Sequence, residues 1–144
     1  MIRNCDHVTV AVEDIAGARA FFELLGFEVD HDLVIAGPPF DAYMDIPTLE
    51  AQHLTMVLKG SDPRFEIQLL NFLSPDPQAD PNAGRLDRIG LNHICFAVDD
   101  IEAEVARLKA AGVHFRSEIM DFNGRLLVYF DGPGGTVLEL ADWH

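Results

Sequence analysis

The sequence lacks the features that mark secreted and membrane proteins. It has two cysteines, Cys5 and Cys95, too few for the disulfide framework of a small secreted domain. No segment approaches the roughly 18 consecutive apolar residues that a membrane span needs. The first residues also show no basic stretch followed by an apolar one, the pattern of a signal peptide. We therefore expect a cytoplasmic protein without a membrane partner.

Basic residues are scarce as well. Ten Lys and Arg residues stand against 24 Asp and Glu residues, which gives a formal charge of −14. Such a surface repels phosphate backbones, so we expect no nucleic acid partner. Apolar residues, in contrast, make up 49% of the 144 positions. That is enough to bury the core of a single domain over residues 1–144 without disulfides or zinc.

The chain contains an internal repeat. Residues 7–29 align without a gap on residues 93–115, at an offset of 86 residues (93 − 7). The identical positions include a histidine, an aspartate and a glycine of each copy: His7 and His93, Asp14 and Asp100, Gly26 and Gly112. An internal repeat of this kind predicts two equivalent structural units.

Each copy predicts the order β-α-β-β-β. An alternating strand comes first, the aspartate then caps a helix, and the glycine ends it. Three strands follow each helix, at about 27–34, 53–59 and 64–71, and at about 113–118, 125–131 and 136–141. The chain thus divides into a first module (1–73), a linker (74–88) and a second module (89–144), an α+β fold. Residues 35–52 have no counterpart of that length in the second module, and such insertions often serve as lids.

Four polar residues occupy strand positions of interest. His7 and His93 are out of phase with the apolar residues of their strands, so both point away from the helices. Gln68 and Glu139 do the same in the last strand of each module. The repeat pairs the two histidines and the two oxygen donors, a set that suits a borderline divalent ion with positions left open. Any one of these residues alone is more often an ordinary polar group.

Several short motifs resemble those of a known family. They are Asp-His-Val at 6–8, Asn-His-Ile at 92–94, Val-Asp-Asp-Ile at 98–101 and the run YFDGPGGTVLEL at 129–140. On these motifs the chain is similar to the vicinal oxygen chelate superfamily, which includes glyoxalase I, methylmalonyl-CoA epimerase, extradiol dioxygenases, fosfomycin-resistance enzymes and bleomycin-binding proteins. The resemblance implies two modules that form a cup-shaped mixed sheet around one metal, held by the four residues above.

The resemblance also implies a reaction class. The full ligand set, with Gln68 and His93 separated by 25 residues (93 − 68), looks most like the epimerase branch. We therefore expect an epimerase, isomerase or lyase that removes a proton beside a metal-bound carbonyl of a small molecule, with cobalt, nickel, manganese or zinc. Glu50 lies near the place of the epimerase's catalytic glutamate, although an exposed loop carboxylate is the alternative. Four further residues are candidate substrate contacts: Thr9, Cys95, Arg125 and Tyr129.

Two other functions stay open on the same fold. An iron-dependent extradiol-type dioxygenase would need only two histidines, one carboxylate and open sites for oxygen and substrate. A metal-free protein that binds an antibiotic would resemble the fold without its ligands, so the intact set argues against it. A homodimer is expected, because members of this family commonly pair and the repeat leaves sheet edges to cover.

Overall fold

The computed structural model describes residues 1–143 and divides the chain into two compact units, Met1–Ala79 and Asp80–His144. Each unit contains one four-stranded mixed sheet and one ten-residue helix, which confirms the α+β class. Within the described residues, no helix has the length and apolar character needed to cross a membrane.

The two units have equivalent topology. In the first, the elements are β1 (His7–Ala11), α1 (Ile15–Leu24), β2 (Phe27–Ala36), α2 (Phe40–Met44), β3 (Glu50–Leu58) and β4 (Glu66–Ser74). In the second they are β5 (Ile94–Ala97), α3 (Ile101–Ala110), β6 (Met120–Asp121), β7 (Arg125–Asp131) and β8 (Val137–Trp143). The sheet orders are β1-β4-β3-β2 and β5-β8-β7-β6, which match strand for strand. The predicted repeat is therefore a repeat of structure.

The helix boundaries follow the predicted signals. The side chain of Asp14 accepts a hydrogen bond from the backbone N–H of Gly17 at 2.9 Å, and Asp100 does the same for Ala103 at 2.9 Å. Gly26 ends the first helical segment with a φ of +91°, where a side chain would be strained. Local sequence alone thus positions α1 and α3.

Apolar side chains hold each helix on its own sheet. In the first unit Phe22 of α1 is fully buried and meets Phe27 edge to face, with ring centroids 5.6 Å apart. In the second, Leu108 of α3, Phe130 and Leu138 are fully buried. Truncation of such a phenylalanine to alanine costs about 3–5 kcal/mol. These cores fix the opposite face of each sheet as the one that carries the polar residues.

Two segment predictions were wrong in detail. The expected insertion at 35–52 is partly strand, because β2 continues to Ala36 and β3 begins at Glu50. The short helix α2 lies between them, and Met44 packs with Ile46 against a cluster that includes Ile35 and Leu49. The segment is therefore packed on the sheet of its own unit. At the other end of this unit, β4 runs to Ser74, the first residue of the predicted linker.

The strand predicted at 113–118 does not form. Only an isolated bridge between Phe115 and Phe130 occurs there, and β6 pairs with β7 instead. The reason is a two-residue turn at Asn123 and Gly124, whose φ angles of +53° and +78° close a hairpin directly before β7. Asn-Gly is a strong hairpin signal, and it assigns the neighbouring strand to the residues immediately upstream.

Candidate functional site

The first unit places two of the predicted ligands on one face. β1 and β4 are parallel, with Thr9 opposite Gln68 and His7 opposite Glu66. The alternate residues of both strands, such as Leu69, are buried on the other face. His7, Thr9 and Gln68 therefore share the face away from α1, as the alternation predicts.

The amide of Gln68 is held at both ends. Its Nε2 donates to Glu66 Oε2 at 3.0 Å, and its Oε1 lies 3.2 Å from Nε2 of His53. Glu66 also accepts from Nε of Arg64 at 2.8 Å. The hydrogen bond from Gln68, helped by Arg64 and opposed by burial, holds the pKa of Glu66 below its usual value. The ionised carboxylate can only accept, so it sets which end of the amide faces His53.

This orientation fixes the proton of His53 in turn. Because Gln68 presents an oxygen, Nε2 of His53 must be the donor of that hydrogen bond. One lone pair of the amide oxygen is then used and the other is free to bind a cation. His53 was not among the predicted site residues. Its place between Gln52 and the buried Leu54 is the same signal that identified Gln68, and that signal could have found it.

His7 has a partner of its own. Its Nδ1 lies 2.7 Å from Asp6 Oδ2, so the carboxylate favours a proton on Nδ1 and leaves Nε2 as the available ligand. Ligand atoms of Asp6, His7 and Glu66 lie within 4.8 Å of one another, which makes them a possible metal-binding group. Asp6 and Glu66 were not among the predicted site residues, and only the adjacency of Asp6 to His7 was visible in the sequence.

The second unit joins its two predicted ligands directly. Nε2 of His93 lies 3.1 Å from Oε2 of Glu139, and Nδ1 of His93 lies 2.8 Å from Oδ1 of Asn92. Glu139 is only 6% exposed, one of two buried polar residues in the described chain. Tyr129 stands edge to face on the imidazole, with ring centroids 5.1 Å apart.

Two neighbours of Glu139 are held in their neutral forms. Local desolvation, with a hydrogen bond to Glu139 and its negative charge, raises the pKa of Cys95 to about 12, although the residue as a whole is exposed. Desolvation also raises the pKa of Tyr129, again with the charge of Glu139. At neutral pH this unit therefore offers a thiol and a phenol, not a thiolate and a phenolate.

The donor set of each unit fits a divalent cation. In the second unit, a nitrogen of His93 and a carboxylate oxygen of Glu139 lie 3.1 Å apart, and these are donor types that would hold a borderline divalent ion. A cation held by both atoms would replace their direct contact. In the first unit, the orientation of Gln68 leaves its oxygen, not its nitrogen, as the ligand.

The other predicted residues are placed as follows. Glu50 is the exposed first residue of β3, and its side chain makes no hydrogen bond or ion pair with the rest of residues 1–143. It is in phase with the buried Leu54, whereas His53 is in phase with the face of Gln68. Arg125 lies on β7, four residues before Tyr129 and therefore on the same face of the sheet. Its guanidinium stacks on the ring of Trp143.

Comparison with known proteins places this geometry in a family. Residues 6–130 match the family model described as Glyoxalase/Bleomycin resistance protein/Dioxygenase superfamily. The ethylmalonyl-CoA/methylmalonyl-CoA epimerase of Cereibacter sphaeroides is 35% identical over 116 residues, which cover 78% of this chain and 73% of the relative. A glyoxalase family protein from Bacillus cereus has a TM-score of 0.87 at 26% identity, covering 99% of this chain and 95% of its own.

A more distant structure shows the same fold with a metal. The fosfomycin resistance protein FosX of Listeria monocytogenes, solved as a variant with Mn(II) and a phosphonic acid, has a TM-score of 0.64 at 18% identity. The match covers 100% of this chain and 95% of FosX. The proteins similar to this chain thus include an epimerase, and the same fold holds Mn(II) in a fosfomycin resistance protein.

Proposed function

The chain belongs to the Glyoxalase/Bleomycin resistance protein/Dioxygenase superfamily, and within it we propose a metal-dependent isomerase or epimerase that acts on a small carbonyl compound. The observation that carries the proposal is the orientation of Gln68, which Glu66 and His53 hold with its oxygen available. An amide ligand of this kind completes the set of four, and the epimerase relative at 35% identity supports the same branch.

The proposed ligands are His7, Gln68, His93 and Glu139, for one divalent ion per chain. A bound cobalt, nickel, manganese or zinc ion would supply Lewis acidity to a substrate carbonyl, which makes the adjacent C–H bond more acidic. The protein's own residues then orient the substrate and move the proton.

Four side chains have roles in this proposal. The phenol of Tyr129 remains protonated, so it can donate a hydrogen bond to a substrate oxygen beside His93. The thiol of Cys95 and the hydroxyl of Thr9 line the ligand faces of the two sheets and can contact substrate without adding charge. Glu50 stays the predicted base on the resemblance to the epimerase branch alone, because its phase with Leu54 places it on the face of β3 opposite to Gln68.

Solvent exchange at carbon tests the reaction class. With methylmalonyl-CoA or ethylmalonyl-CoA in deuterated water, the protein should introduce deuterium at the α-carbon, because the side-chain base exchanges its proton with solvent. Glu50→Gln should lower this rate roughly 100-fold or more, with metal content unchanged. Glu118→Gln, another exposed carboxylate, is the matched control.

The same experiment has informative contrary outcomes. Wild-type rates in the Glu50→Gln protein would make Glu50 a surface carboxylate and move the base elsewhere. Oxygen consumption with catechols by the iron-loaded protein, without any exchange at carbon, would replace the isomerase by a dioxygenase. Tight antibiotic binding by the metal-stripped protein, again without exchange, would favour the binding function.

We also propose a homodimer. The strands β2 and β6 end their sheets in the described chain and leave unpaired backbone groups on one edge. Sedimentation velocity should give twice the 16.0 kDa chain mass. A concentration-independent monomer would contradict this proposal without affecting the metal site. Cytoplasmic location remains a proposal that rests on composition.

A further inference from the structure

The ligand face of the second sheet carries three successive rows of side chains. Partners across neighbouring strands lie on the same face. From the pairing of β5, β8, β7 and the hairpin turn, the rows are Cys95, Glu139 and Tyr129; then Ala97, Ala141 and Leu127; then Trp143, Arg125 and Phe122. The face thus runs from the His93–Glu139 pair through an apolar strip to a cation between two aromatic rings.

Two contacts confirm that the third row is on this face. Asp142 accepts a hydrogen bond from the backbone N–H of Ile101, the first residue of α3, at 3.1 Å, so Asp142 points to the helix side and Trp143 to the other. Phe122 and Arg125 exchange two backbone hydrogen bonds, of 2.8 and 3.2 Å, across the turn. They are therefore a directly opposed pair, with their side chains on one face.

Arg125 is unusual among the basic residues of this acidic chain. Seven of the ten form an ion pair with a carboxylate: Arg19, Lys59, Arg64, Arg85, Arg88, Arg107 and Arg116. Arg125 has no carboxylate partner within residues 1–143, and instead its guanidinium carbon lies 4.5 Å from the ring centroid of Trp143. Stacking leaves the N–H edge of the guanidinium free, and that edge matches the oxygens of a carboxylate or phosphate.

The rings beside Arg125 are open to a ligand. Trp143 is 68% exposed and Phe122 is 50% exposed, although large apolar side chains are normally covered. Between this row and Glu139, the strip of Ala97, Ala141 and Leu127 carries no charge. Tyr129 and Arg125 are four positions apart along β7, a distance of about 13 Å.

We propose that Arg125, Trp143 and Phe122 form a subsite for an oxyanion at the far end of the substrate. The substrate would be an elongated acyl compound with a carbonyl at the His93–Glu139 end, an apolar stretch over the middle row, and a carboxylate or phosphate against Arg125. This assignment of substrate class rests on the proposed function, but anion binding at the subsite does not require catalysis.

Trp143 is the only tryptophan of the chain, so its fluorescence reports directly on the subsite. Metal-stripped protein is titrated with coenzyme A, which brings phosphates without an acyl group, and separately with glutarate, which brings carboxylates. At least one probe should change the emission saturably, with an affinity that falls as salt is added. A response to coenzyme A alone indicates phosphate as the natural oxyanion, and a response to glutarate alone indicates carboxylate.

Variants of one residue separate charge from geometry. Arg125→Gln should weaken probe binding about 10-fold or more, the loss of a charge-assisted hydrogen bond. Arg125→Lys keeps the positive charge but loses the paired N–H donors of the guanidinium. Its affinity for the probe should therefore lie between those of the wild type and Arg125→Gln. Arg85→Gln, which removes an exposed arginine that is paired with Asp87, is the control and should bind as the wild type does.

Contrary results are equally clear. Unchanged affinity in Arg125→Gln, or no response to either probe, would overturn the subsite. So would emission that changes only with protein concentration, because the rings would then cover a contact between copies of the chain. In the deuterium-exchange assay, Arg125→Gln should raise KM and leave kcat close to the wild-type value. If no exchange occurs while the titration succeeds, the proposed reaction fails and the subsite stands.

Discussion

The two units share one topology but hold their candidate ligands in different ways. In the second, His93 and Glu139 contact each other directly at 3.1 Å, and the carboxylate is buried. In the first, Gln68 is oriented by Glu66 and His53, and Arg64 joins that group to Asp30 of β2. One unit therefore has a compact pair and the other a chain of hydrogen bonds across three strands.

The difference follows from the chemistry of the two oxygen donors. A carboxylate has two equivalent oxygens, so Glu139 presents a ligand atom whichever way it turns. An amide has an oxygen at one end and an N–H₂ group at the other, and only the oxygen can bind a cation. A unit that uses glutamine must therefore also supply groups that set the amide's direction, and Glu66 and His53 are placed to do so.

The largest expected effect comes from the second unit. His93→Ala or Glu139→Ala should remove tight metal binding, because each takes away a ligand; the loss should exceed the roughly 10- to 100-fold cost of losing an outer partner. Gln68→Ala should weaken binding less, because a neutral amide is the poorest ligand of the set. Metal content after dialysis, measured by mass spectrometry against one ion per wild-type chain, checks both. Full retention in the two alanine variants would remove the proposed site.

An intermediate loss of metal affinity is expected when the orientation of Gln68 is disturbed. Glu66→Gln allows the Gln68 amide to turn, so metal affinity should fall about 10- to 100-fold. In the metal-free protein, nitrogen NMR of labelled histidine should show the His53 proton on Nε2 in the wild type and a mixture in the variant. Glu28→Gln, which disturbs only an exposed pair with Lys59, is the matched control. Equal tautomers in both proteins would mean that Glu66 does not orient the amide.

The smallest expected effect concerns stability in acid. Burial tends to raise the pKa of Asp131, but hydrogen bonds of 2.6 Å from Arg116 and His114 outweigh it, so the pKa lies below its usual value. A carboxyl group whose pKa is lowered by folding stabilises the folded state at pH values above its unfolded-state pKa of about 3.9. That stabilisation is lost as the pH falls through the pKa of the folded state. Because the carboxylate is 42% exposed, the contribution should stay below about 1 kcal/mol.

Urea denaturation followed by circular dichroism from pH 6 down to pH 2 measures that contribution. Asp131→Asn should be slightly less stable than the wild type at pH 6, and its stability should fall less steeply with acid. Parallel curves for the two proteins would show that the Asp131 cluster does not affect stability. Asp30→Asn makes the equivalent change in the first unit, where Arg64 and His31 hold the pKa of Asp30 down.

Local signals predicted most of the fold. The caps at Asp14 and Asp100, the glycine stops and the strand alternation are set by neighbouring residues, and all appear as expected. The strand predicted at 113–118 does not form because the Asn123–Gly124 turn pairs residues 120–121 with β7 instead. The ends of β2 and β3 were missed because the pairing that extends them comes from the partner strand.

The sequence by itself determined the duplication, the strand phases and hence the candidate set His7, Gln68, His93 and Glu139, because two segments align directly and strand phase depends on periodicity within a few residues. Only the tertiary structure decided the neighbours. His53 meets Gln68 because β3 and β4 pair in one particular register, and Trp143 meets Arg125 because β8 lies beside β7. Each of these contacts joins residues on two different strands, so it depends on the register between the strands and not only on the pattern within either one.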